Sequence, residues 1–333
     1  MSQKRPDFSV IVLFGRGELE PCLSSLLKQR EQSFEIIGVI GADVPEVNDP
    51  RVKFLVVSEQ NPAKRRNLAV ADSCGKYLAF IDDDAIAPED WLFRARTILE
   101  ENPEIAGVGG SNTGFERMSW QEQITDMLLR DQYFGAGSRA YLKNGNCFPA
   151  RPGMVHLSNF FLRREIFDAV KGFNEKIGYG AEDSEFVYWS KKKTGREFWF
   201  FPELCVIHKR RAFGLGFLKR NFQFRRKNGN LIWLYPDMYS WSWQIPVAGL
   251  MILLALILAI LNPVSILIMS AIYYLLFFIS SLLRSSYRVG LSLLMPFAYF
   301  FHHLSYLLGL SAGLLEGMFR GRKRLEELLG RED

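Results

Sequence analysis

The sequence predicts an α/β domain with a doubly wound, mostly parallel sheet, followed by apolar helices that cross a membrane. Two observations lead to this fold class. Short apolar runs alternate with helical patterns from residue 8 to residue 208, as in strands joined by crossover helices. Residues 243–315 then contain only two formal charges, Arg284 and Arg288, although 23% of the 333-residue chain is charged.

Each element of the α/β domain has its own signal. The apolar run at residues 8–14 is rich in β-branched residues and ends at Gly15. No small-residue cleavage site follows it, so it predicts a buried strand and not a signal peptide. The strand and helix patterns that follow lie at residues 19–29 (helix), 34–40 and 52–57 (strands), 67–73 (helix), 77–81 (strand), 88–101 (helix) and 203–207 (strand).

The C-terminal third predicts two membrane spans and a third apolar segment. Residues 243–261 and 264–283 each have about the ~20 residues that a helix needs to cross the hydrocarbon core. A buried helical hairpin of a soluble domain is the alternative, but it would lack a polar face. The segment at residues 290–319 contains Pro296 and small residues at four-residue spacing, which suit close helix packing. A full third span would place the basic residues 320–324 outside, against the positive-inside rule, so we expect a broken or in-plane helix.

These patterns divide the chain into four parts. They are a cytoplasmic domain at residues 1–211, a basic and aromatic interfacial segment at residues 212–242, a membrane domain at residues 243–319 and a charged tail at residues 320–333. The interfacial segment suits anionic headgroups, and the adjoining spans favour a membrane over nucleic acid as its partner. The four cysteines form no CxxC pair, which agrees with a reduced, cytoplasmic location of the first part.

Three consecutive aspartates, from Asp82 to Asp84, are the first chemical signal. Like charges this close repel one another unless a cation offsets them. Alternate residues of an extended chain point the same way, so Asp82 and Asp84 can face one site. Carboxylate oxygens suit Mg2+ or Mn2+, which in proteins commonly also hold substrate phosphates. A solvated acidic turn explains the three residues equally well when they are taken alone.

Five segments in order resemble the family 2 glycosyltransferases of the GT-A fold. Together they run from about residue 8 to residue 208, and the C-terminal part resembles the ending of bacterial exopolysaccharide enzymes of the succinoglycan type. The resemblance implies a domain that binds a nucleotide sugar. The segments are the opening strand and first helix (residues 8–29), Arg66-Asn67, the DxD strand ending at Asp84, the stretch from His156 to Glu175, and Glu182-Asp183.

The resemblance also implies a role for each catalytic residue. Asp84 matches the metal ligand, Asp82 matches the carboxylate near the metal and ribose, and His208 matches a third metal ligand. The ion would be Mn2+ or Mg2+ and would bridge the diphosphate of the donor. Asp183 matches the catalytic base that takes the proton of the acceptor hydroxyl. One base without a second nucleophilic carboxylate implies a single displacement with inversion.

The resemblance places four further residues on the donor side. Arg66 and Asn67 would lie beside the nucleotide, and Asp43 is what remains of an acidic pair that the family usually has. Arg226 lies in a stretch similar to the QxxRW motif of processive synthases, without its tryptophan. This difference favours transfer of one sugar over polymerisation. Because the region that binds the nucleobase differs from the family pattern, the identity of the nucleobase is open. A uridine diphosphate sugar is the default donor, and guanosine diphosphate mannose is the second candidate.

The predicted function is therefore a metal-dependent, inverting glycosyltransferase of the inner membrane with a cytoplasmic catalytic domain. Its acceptor would be lipid-linked, for example a polyprenyl phosphate, in cell-surface glycan or exopolysaccharide assembly. A processive polysaccharide synthase is the main alternative. A nucleotidyltransferase would need a longer glycine- and lysine-rich phosphate loop than the one at Gly15, and a non-catalytic scaffold would not need Asp82, Asp84 and Asp183.

Overall fold

The structure is a computed structural model, and it describes residues 5–15, 19–131, 135, 139–141, 143–238, 263–284 and 289–331. The strands are β1 (Phe8–Leu13), β2 (Phe34–Ile40), β3 (Val52–Val56), β4 (Tyr77–Asp82), β5 (Ala85–Ile86), β6 (Gly107–Thr113), β7 (Phe148–Ala150), β8 (Asn159–Arg163) and β9 (Phe198–His208). The helices are α1 (Leu19–Leu27), α2 (Pro62–Ala71), α3 (Trp91–Glu101), α4 (Trp120–Arg130), α5 (Arg164–Val170), α6 (Glu182–Thr194), α7 (Leu215–Leu234), α8 (Pro263–Arg284), α9 (Val289–Arg320) and α10 (Arg322–Leu329).

The nine strands form one mixed sheet in the order β3-β2-β1-β4-β8-β6-β9-β5, with β7 paired to β9 beside this path. The pairs β1–β2, β1–β4, β2–β3 and β6–β9 are parallel. The other four described pairs are antiparallel. The predicted mostly parallel sheet is therefore correct for β1 to β4 and for the pair β6–β9. It is wrong for the pairs that β5, β7 and β8 form, since β8 inserts antiparallel between β4 and β6.

The core consists of two apolar layers, one on each face of the sheet. Along β1, Phe8 and Val10 point into the layer that contains Trp91, while Ile11 points into the layer that contains Phe80. All five side chains are almost completely buried. A strand that is covered on both faces has apolar side chains on both, so its sequence is a nearly continuous apolar run. For this reason β1 could be predicted without an alternating pattern.

Helix α2 begins five residues before the predicted start at residue 67. The side chain of Asn61 accepts hydrogen bonds from the backbone N–H groups of Ala63 (3.0 Å) and Lys64 (3.3 Å), and Pro62 occupies the first helical turn. An N-cap asparagine followed by proline is a strong helix start. The signal was present in the sequence, and the earlier start brings Arg65 and Arg66 into the helix.

The described residues fall into two compact units. The sheet unit contains Met1–Arg117, Ser138–Lys209 and Arg320–Asp333, and the helical unit contains Met118–Gly137 and Arg210–Phe319. Helix α10, in the predicted charged tail, thus belongs to the sheet unit, and α4 belongs to the helical unit. The four predicted domain ranges stay a prediction.

The helical unit has its own core, formed by α4, α8 and α9. Ile124 and Leu128 of α4 pack with Phe277 of α8 and with Met295 and Tyr299 of α9. Polar contacts support this core. The hydroxyl of Tyr299 donates to a carboxylate oxygen of Asp131 (2.5 Å), and the buried guanidinium of Arg210 donates to Asp126 (2.7 Å).

Among the described helices, α9 is the one that is long and apolar enough to cross a membrane, by length and composition. It continues through Pro296, so a helix broken at this proline is wrong, while the in-plane alternative stays a prediction. Packing of Met295, Ala298 and Tyr299 on one core holds both sides of the proline in a single helix. Helix α8 covers the second predicted span, but its apolar stretch Leu267–Leu283 is shorter than the ~20 residues that a helix needs to cross the hydrocarbon core. The first predicted span lies outside the described residues.

The small residues of α9 pack within the chain against α7. A Cβ atom added to Gly309 would collide with the carbonyl oxygen of Phe222, and one added to Gly313 would collide with that of Arg226. Gly229 of α7 lies opposite Gly313, because a Cβ atom added to it would collide with the backbone of α9 at Leu310 and Gly313. The four-residue spacing of small side chains therefore lets two helix backbones approach closely, as expected for a small-xxx-small face.

Candidate active site

Two aspartates and a histidine converge at the end of β4. The Nε2 atom of His208 lies 3.0 Å from Oδ1 of Asp84 and 3.5 Å from Oδ2 of Asp82. One ligand atom from each of the three side chains lies within 4.8 Å of the other two. All three side chains are partly accessible to solvent.

Strand pairing brings His208 to this place from far along the chain. The short strand β5, which follows Asp84 directly, pairs antiparallel with the last residues of β9, and Ala85 lies opposite His208. The backbone N–H of Lys209 donates to the carbonyl oxygen of Asp84 (3.0 Å), which closes the end of this ladder. The position of the imidazole is therefore set by backbone register.

The middle aspartate has a different role from its neighbours. Asp83 is buried, and its Oδ2 atom accepts a hydrogen bond from the backbone N–H of Gly15 (2.8 Å). It thus joins the end of β4 to the end of β1, while Asp82 and Asp84 face His208. Asp83 and Asp84 form a turn between β4 and β5, so this turn, and not the alternation expected of an extended chain, brings the first and third aspartates to one site.

The donor set fits a divalent metal ion. Burial lowers the pKa of His208, but the carboxylates of Asp82 and Asp84 outweigh this and raise the pKa to about 9. The buried Nε2 atom of His208 makes no well-aligned hydrogen bond with any described residue. Two carboxylates and an imidazole are ligands that suit Mn2+ or Mg2+. A cation bound here would replace the proton that the carboxylates otherwise favour on the imidazole.

Asp183 lies in the first turn of α6 and is almost completely buried. Its Oδ1 atom accepts hydrogen bonds from the backbone N–H (2.6 Å) and the hydroxyl (3.2 Å) of Ser184. Its Oδ2 atom lies 3.9 Å from Nδ1 of His156. Burial raises the pKa of Asp183, and the hydrogen bonds of Ser184 oppose this rise. A carboxyl group with a raised pKa is a stronger base once it is ionised.

Arg66 connects the acidic end of β4 with the start of α6. Its Nη1 atom lies 3.1 Å from Oε1 of Glu182, and its Nη2 atom lies 3.9 Å from Oδ1 of Asp82. The other carboxylate oxygen of Glu182 accepts from the backbone N–H of Gly180 (2.7 Å). Burial raises the pKa of Glu182, while the charge of Arg66 lowers it. The aspartate cluster and the Asp183 helix are therefore held by one guanidinium.

The other predicted donor-side residues lie in different places. The side chain of Asn67 bonds the backbone of Phe173 through both its oxygen and its nitrogen (2.9 Å each) and reaches Glu175. Asp43 is exposed after β2, with a φ of 45°. Arg226 belongs to the helical unit and pairs with Glu316 (2.9 Å). The donor-binding roles of Arg66, Asn67, Asp43 and Arg226 stay predictions.

Sequence reasoning missed several neighbours of Asp183. His156 was noted only as the start of a similar segment, and its separation in sequence gave no sign of its contact with Asp183. Glu185 is buried and pairs with Arg331 (2.5 Å), a residue of the predicted charged tail. An acidic residue one turn into a helix is ordinarily solvated, so no local pattern could have identified this pair.

Comparison with known proteins agrees with this architecture. Residues 9–170 match the family described as Glycosyl transferase family 2. An uncharacterized glycosyltransferase of Rickettsia bellii is 25% identical over 121 residues, which are 34% of this chain and 17% of that relative. Glycosyltransferase AglE of Haloferax volcanii is 22% identical over 259 residues, which are 70% of this chain and 76% of that protein. The chain thus spans a fifth or less of the length of the Rickettsia relatives.

A solved structure shows the same fold. It is the mannosyltransferase PcManGT from Pyrobaculum calidifontis in complex with GDP-Man and Mn2+, with a TM-score of 0.56 at 15% identity over 92% of this chain and 88% of that chain. The fold is thus a GT-A-like mixed α/β fold. Over residues 9–170 the chain is similar to the family 2 glycosyltransferases, as the order of its five segments predicted.

Proposed function

We propose that the protein is an inverting, metal-dependent glycosyltransferase that moves one sugar from a nucleoside diphosphate sugar to a lipid-linked acceptor at a membrane. The observation that carries this proposal is the arrangement around Arg66. This single guanidinium lies against Asp82 of the three-residue cluster and against Glu182, the neighbour of Asp183. A site for a metal and a buried base are thereby linked within one unit of the chain.

Asp82, Asp84 and His208 would hold the metal in this enzyme. Mn2+ or Mg2+ would neutralise the charge that develops on the leaving nucleoside diphosphate. One ligand atom from each of the three side chains already lies within 4.8 Å of the other two, so metal binding would require little rearrangement of the protein. Asp83 keeps the end of β4 against β1 through its bond to the backbone of Gly15.

Asp183 would act as the base. Its raised pKa and its place at the start of a helix suit a carboxylate that takes the proton of an acceptor hydroxyl while that oxygen attacks the anomeric carbon. Ser184 binds Oδ1 and leaves Oδ2 on the side of His156. A single displacement of this kind inverts the configuration at the anomeric carbon.

The donor would be a nucleoside diphosphate sugar. PcManGT, which shares the fold, is described in complex with GDP-Man and Mn2+. This supports a donor with a diphosphate that a divalent cation can bridge. We take a uridine or guanosine diphosphate sugar as the first candidates. The experiment below identifies the nucleobase of the donor.

The acceptor would be an amphipathic molecule with an anionic head and an apolar tail, because the chain carries apolar surface that lipid can cover. Leu267 and Leu283 of α8 are 71% and 82% exposed, and Phe319 of α9 is 82% exposed. Exposed apolar side chains in this number are typical of helices that face a membrane. We propose that α8, α9 and the residues before them anchor the enzyme in the inner membrane as a multi-pass protein with its sheet unit in the cytoplasm.

The proposal can be tested with the purified full chain in detergent. A panel of uridine, guanosine and thymidine diphosphate sugars is added with Mn2+, and binding and release of the nucleoside diphosphate are measured. We expect one donor to bind only with metal and to release its diphosphate. Asp84→Ala should abolish both effects. Asp90→Ala, which removes an exposed carboxylate paired with Arg94, is the matched control and should retain them.

Failure of every nucleotide sugar to bind, with or without metal, would contradict the proposed function. A wild-type protein that binds a donor equally well after chelation of the metal would contradict its metal dependence alone. The length of the product on a polyprenyl phosphate primer then separates transfer of one sugar from processive synthesis, since only the latter yields a ladder of longer products.

A further inference from the structure

The C-terminal segment is docked on the helix that carries Asp183. Helix α10 begins after Gly321 and buries Leu325 in the sheet unit. Two residues beyond this helix, Arg331 is buried against Glu185 of α6, with side-chain exposures of 5% and 0%. A stretch that composition alone assigns to a solvated tail therefore ends in a buried ion pair.

Arg331 uses three of its nitrogen atoms on two neighbouring elements. Its Nε and Nη2 atoms bind the two carboxylate oxygens of Glu185 (3.0 and 2.5 Å). Its Nη1 atom donates to the carbonyl oxygens of Val170 and Gly172 (2.7 Å each). This fork-like geometry is the strong form of an arginine–carboxylate pair. It fastens the start of α6 to the end of α5.

Asn174 adds a second link in the same place. Its side-chain nitrogen donates to the carbonyl oxygen of Leu329 (2.8 Å) and to Oε1 of Glu185 (3.2 Å). Asn67 holds the backbone of the adjacent residue Phe173. The loop that leads into α6 is therefore held from one side by α2 and from the other by the C-terminal segment.

We propose that Arg331 is a positioning residue for the catalytic base, which it orients by fixing Glu185 and with it the first turn of α6. This inference rests on the proposed role of Asp183. Glu185 lies two residues after Asp183 in the same helical turn. Removal of Arg331 leaves the carboxylate of Glu185 buried without its partner, and such a charge draws the helix start toward solvent. A small displacement of the base is enough to slow proton removal strongly.

The test compares Arg331→Ala and Arg331→Lys with the wild-type full chain. Arg322→Ala is the matched control, because Arg322 lies on α10 and its i,i+4 ion pair with Glu326 is exposed. Hydrogen exchange of the amides in residues 173–187 is measured together with kcat and the KM for the donor. Exchange needs no activity and reports the fastening of α6 directly.

We expect Arg331→Ala to speed exchange in residues 173–187 and to lower kcat roughly 10- to 100-fold, with the donor KM within about twofold of wild type. We expect kcat to fall without a change in the donor KM because Arg331 contacts α5 and α6 and not the strand that carries the metal ligands. Arg331→Lys should recover part of kcat, since it restores the charge without the fork. Arg322→Ala should match wild type in all three measurements.

Three results would overturn the inference. They are unchanged exchange in Arg331→Ala, faster exchange with an unchanged kcat, or a loss of kcat that follows the unfolded fraction of the protein. If Arg331→Ala does not fold, the double variant Glu185→Gln, Arg331→Gln removes both buried charges and is measured in its place. An inactive wild type would refute the proposed function instead, while the exchange data would still decide whether Arg331 fastens α6.

Discussion

At the scale of single residues, Asp183 combines basicity with a cost to the fold. The carboxylate is buried, and burial raises its pKa above the usual value. The folded state therefore binds a proton at Asp183 more tightly than the unfolded state does. The stability gained in this way is fully present below the unfolded pKa and is lost as the pH rises through the folded pKa. Above the unfolded pKa, the preference of the buried group for its protonated form therefore lowers the stability of the folded state.

The variant Asp183→Asn should separate these two properties. The amide keeps an oxygen for the Ser184 donors and carries no charge, so we expect a higher Tm than wild type at pH 7 and a smaller difference at pH 4. Loss of the base should lower kcat about 10²- to 10⁴-fold. Thermal unfolding across this pH range and a donor turnover assay check both parts. A Tm difference that is independent of pH would contradict the assignment of the buried charge to Asp183.

The three aspartates after β4 also differ at this scale. Asp83 supports the backbone through Gly15, while Asp84 belongs to the metal site. We expect Asp83→Asn to cost about 1–3 kcal/mol of stability and to leave Mn2+ affinity within a few-fold of wild type. Asp84→Asn should leave stability nearly unchanged and weaken Mn2+ binding strongly. Calorimetric titration with Mn2+ and urea unfolding compare the two variants, and equal metal affinities would contradict this division of roles.

At the scale of elements, the glycine-rich strand β6 was not predicted. Its neighbour β8 was not predicted either, and of its other neighbour, β9, only residues 203–207 were predicted. Residues Gly107 and Gly110 lie so close to the backbone of Phe161 and Leu204 that a Cβ atom has no room. Glycine in a strand marks such close approach, but in a sequence the same residues indicate turns. The physical reason for the glycines lies in the adjacent strands, β8 and β9, and only the sheet order identifies those neighbours.

The link between α2 and α6 gives a prediction at this scale. Arg66→Met leaves Glu182 buried without its partner, and we expect a loss of about 3–5 kcal/mol. The double variant Arg66→Met, Glu182→Leu should recover most of this loss, because it buries no charge. Lys64→Met on the exposed face of α2 is the control. Urea unfolding of the wild type and these three variants compares their stabilities, and a double variant no more stable than Arg66→Met would refute a dominant charge effect.

The packing of α7 on α9 gives a second prediction at the scale of elements. Gly313→Leu would force its side chain into the backbone of Arg226, so we expect a lower Tm and a loss of roughly 1–3 kcal/mol or more. At Gly290 on the same helix, an added Cβ atom lies within 4 Å of no atom of the described residues, so Gly290→Leu should have little effect. Thermal unfolding in one detergent compares them. Equal stabilities would show that this helix pair does not pack as closely as described.

At the scale of the whole molecule, the chain leaves the sheet unit after Lys209 and returns to it at Arg320. In the order of the chain, the apolar helices thus come between two segments that belong to one folded unit. We expect the full chain in cell extracts to stay with the membrane fraction in 1 M salt and in alkaline carbonate, and to require detergent for release. A peripheral protein held by charge alone would be released by salt, which would contradict the anchoring role of α8 and α9.

The sequence by itself determined what depends on local pattern and motif order. Apolar runs predicted β1 to β4 and residues 203–207 of β9. Asp82 and Asp84 were expected on one side because alternate residues of a strand share a face, and the order of five segments predicted a family 2 glycosyltransferase domain. The antiparallel half of the sheet and the continuous helix through Pro296 were not predicted, because both depend on packing against residues distant in the chain.

Only the tertiary structure decided how the site is held together. The Arg66–Glu182 contact joins residues 116 positions apart, and the Arg331–Glu185 pair joins residues 146 positions apart. Neither has a local signature, because each side chain alone is typical of a solvated surface. The contacts are favourable only once the sheet and its helices bury both partners together, since a buried charge is tolerated when its counter-charge is buried beside it.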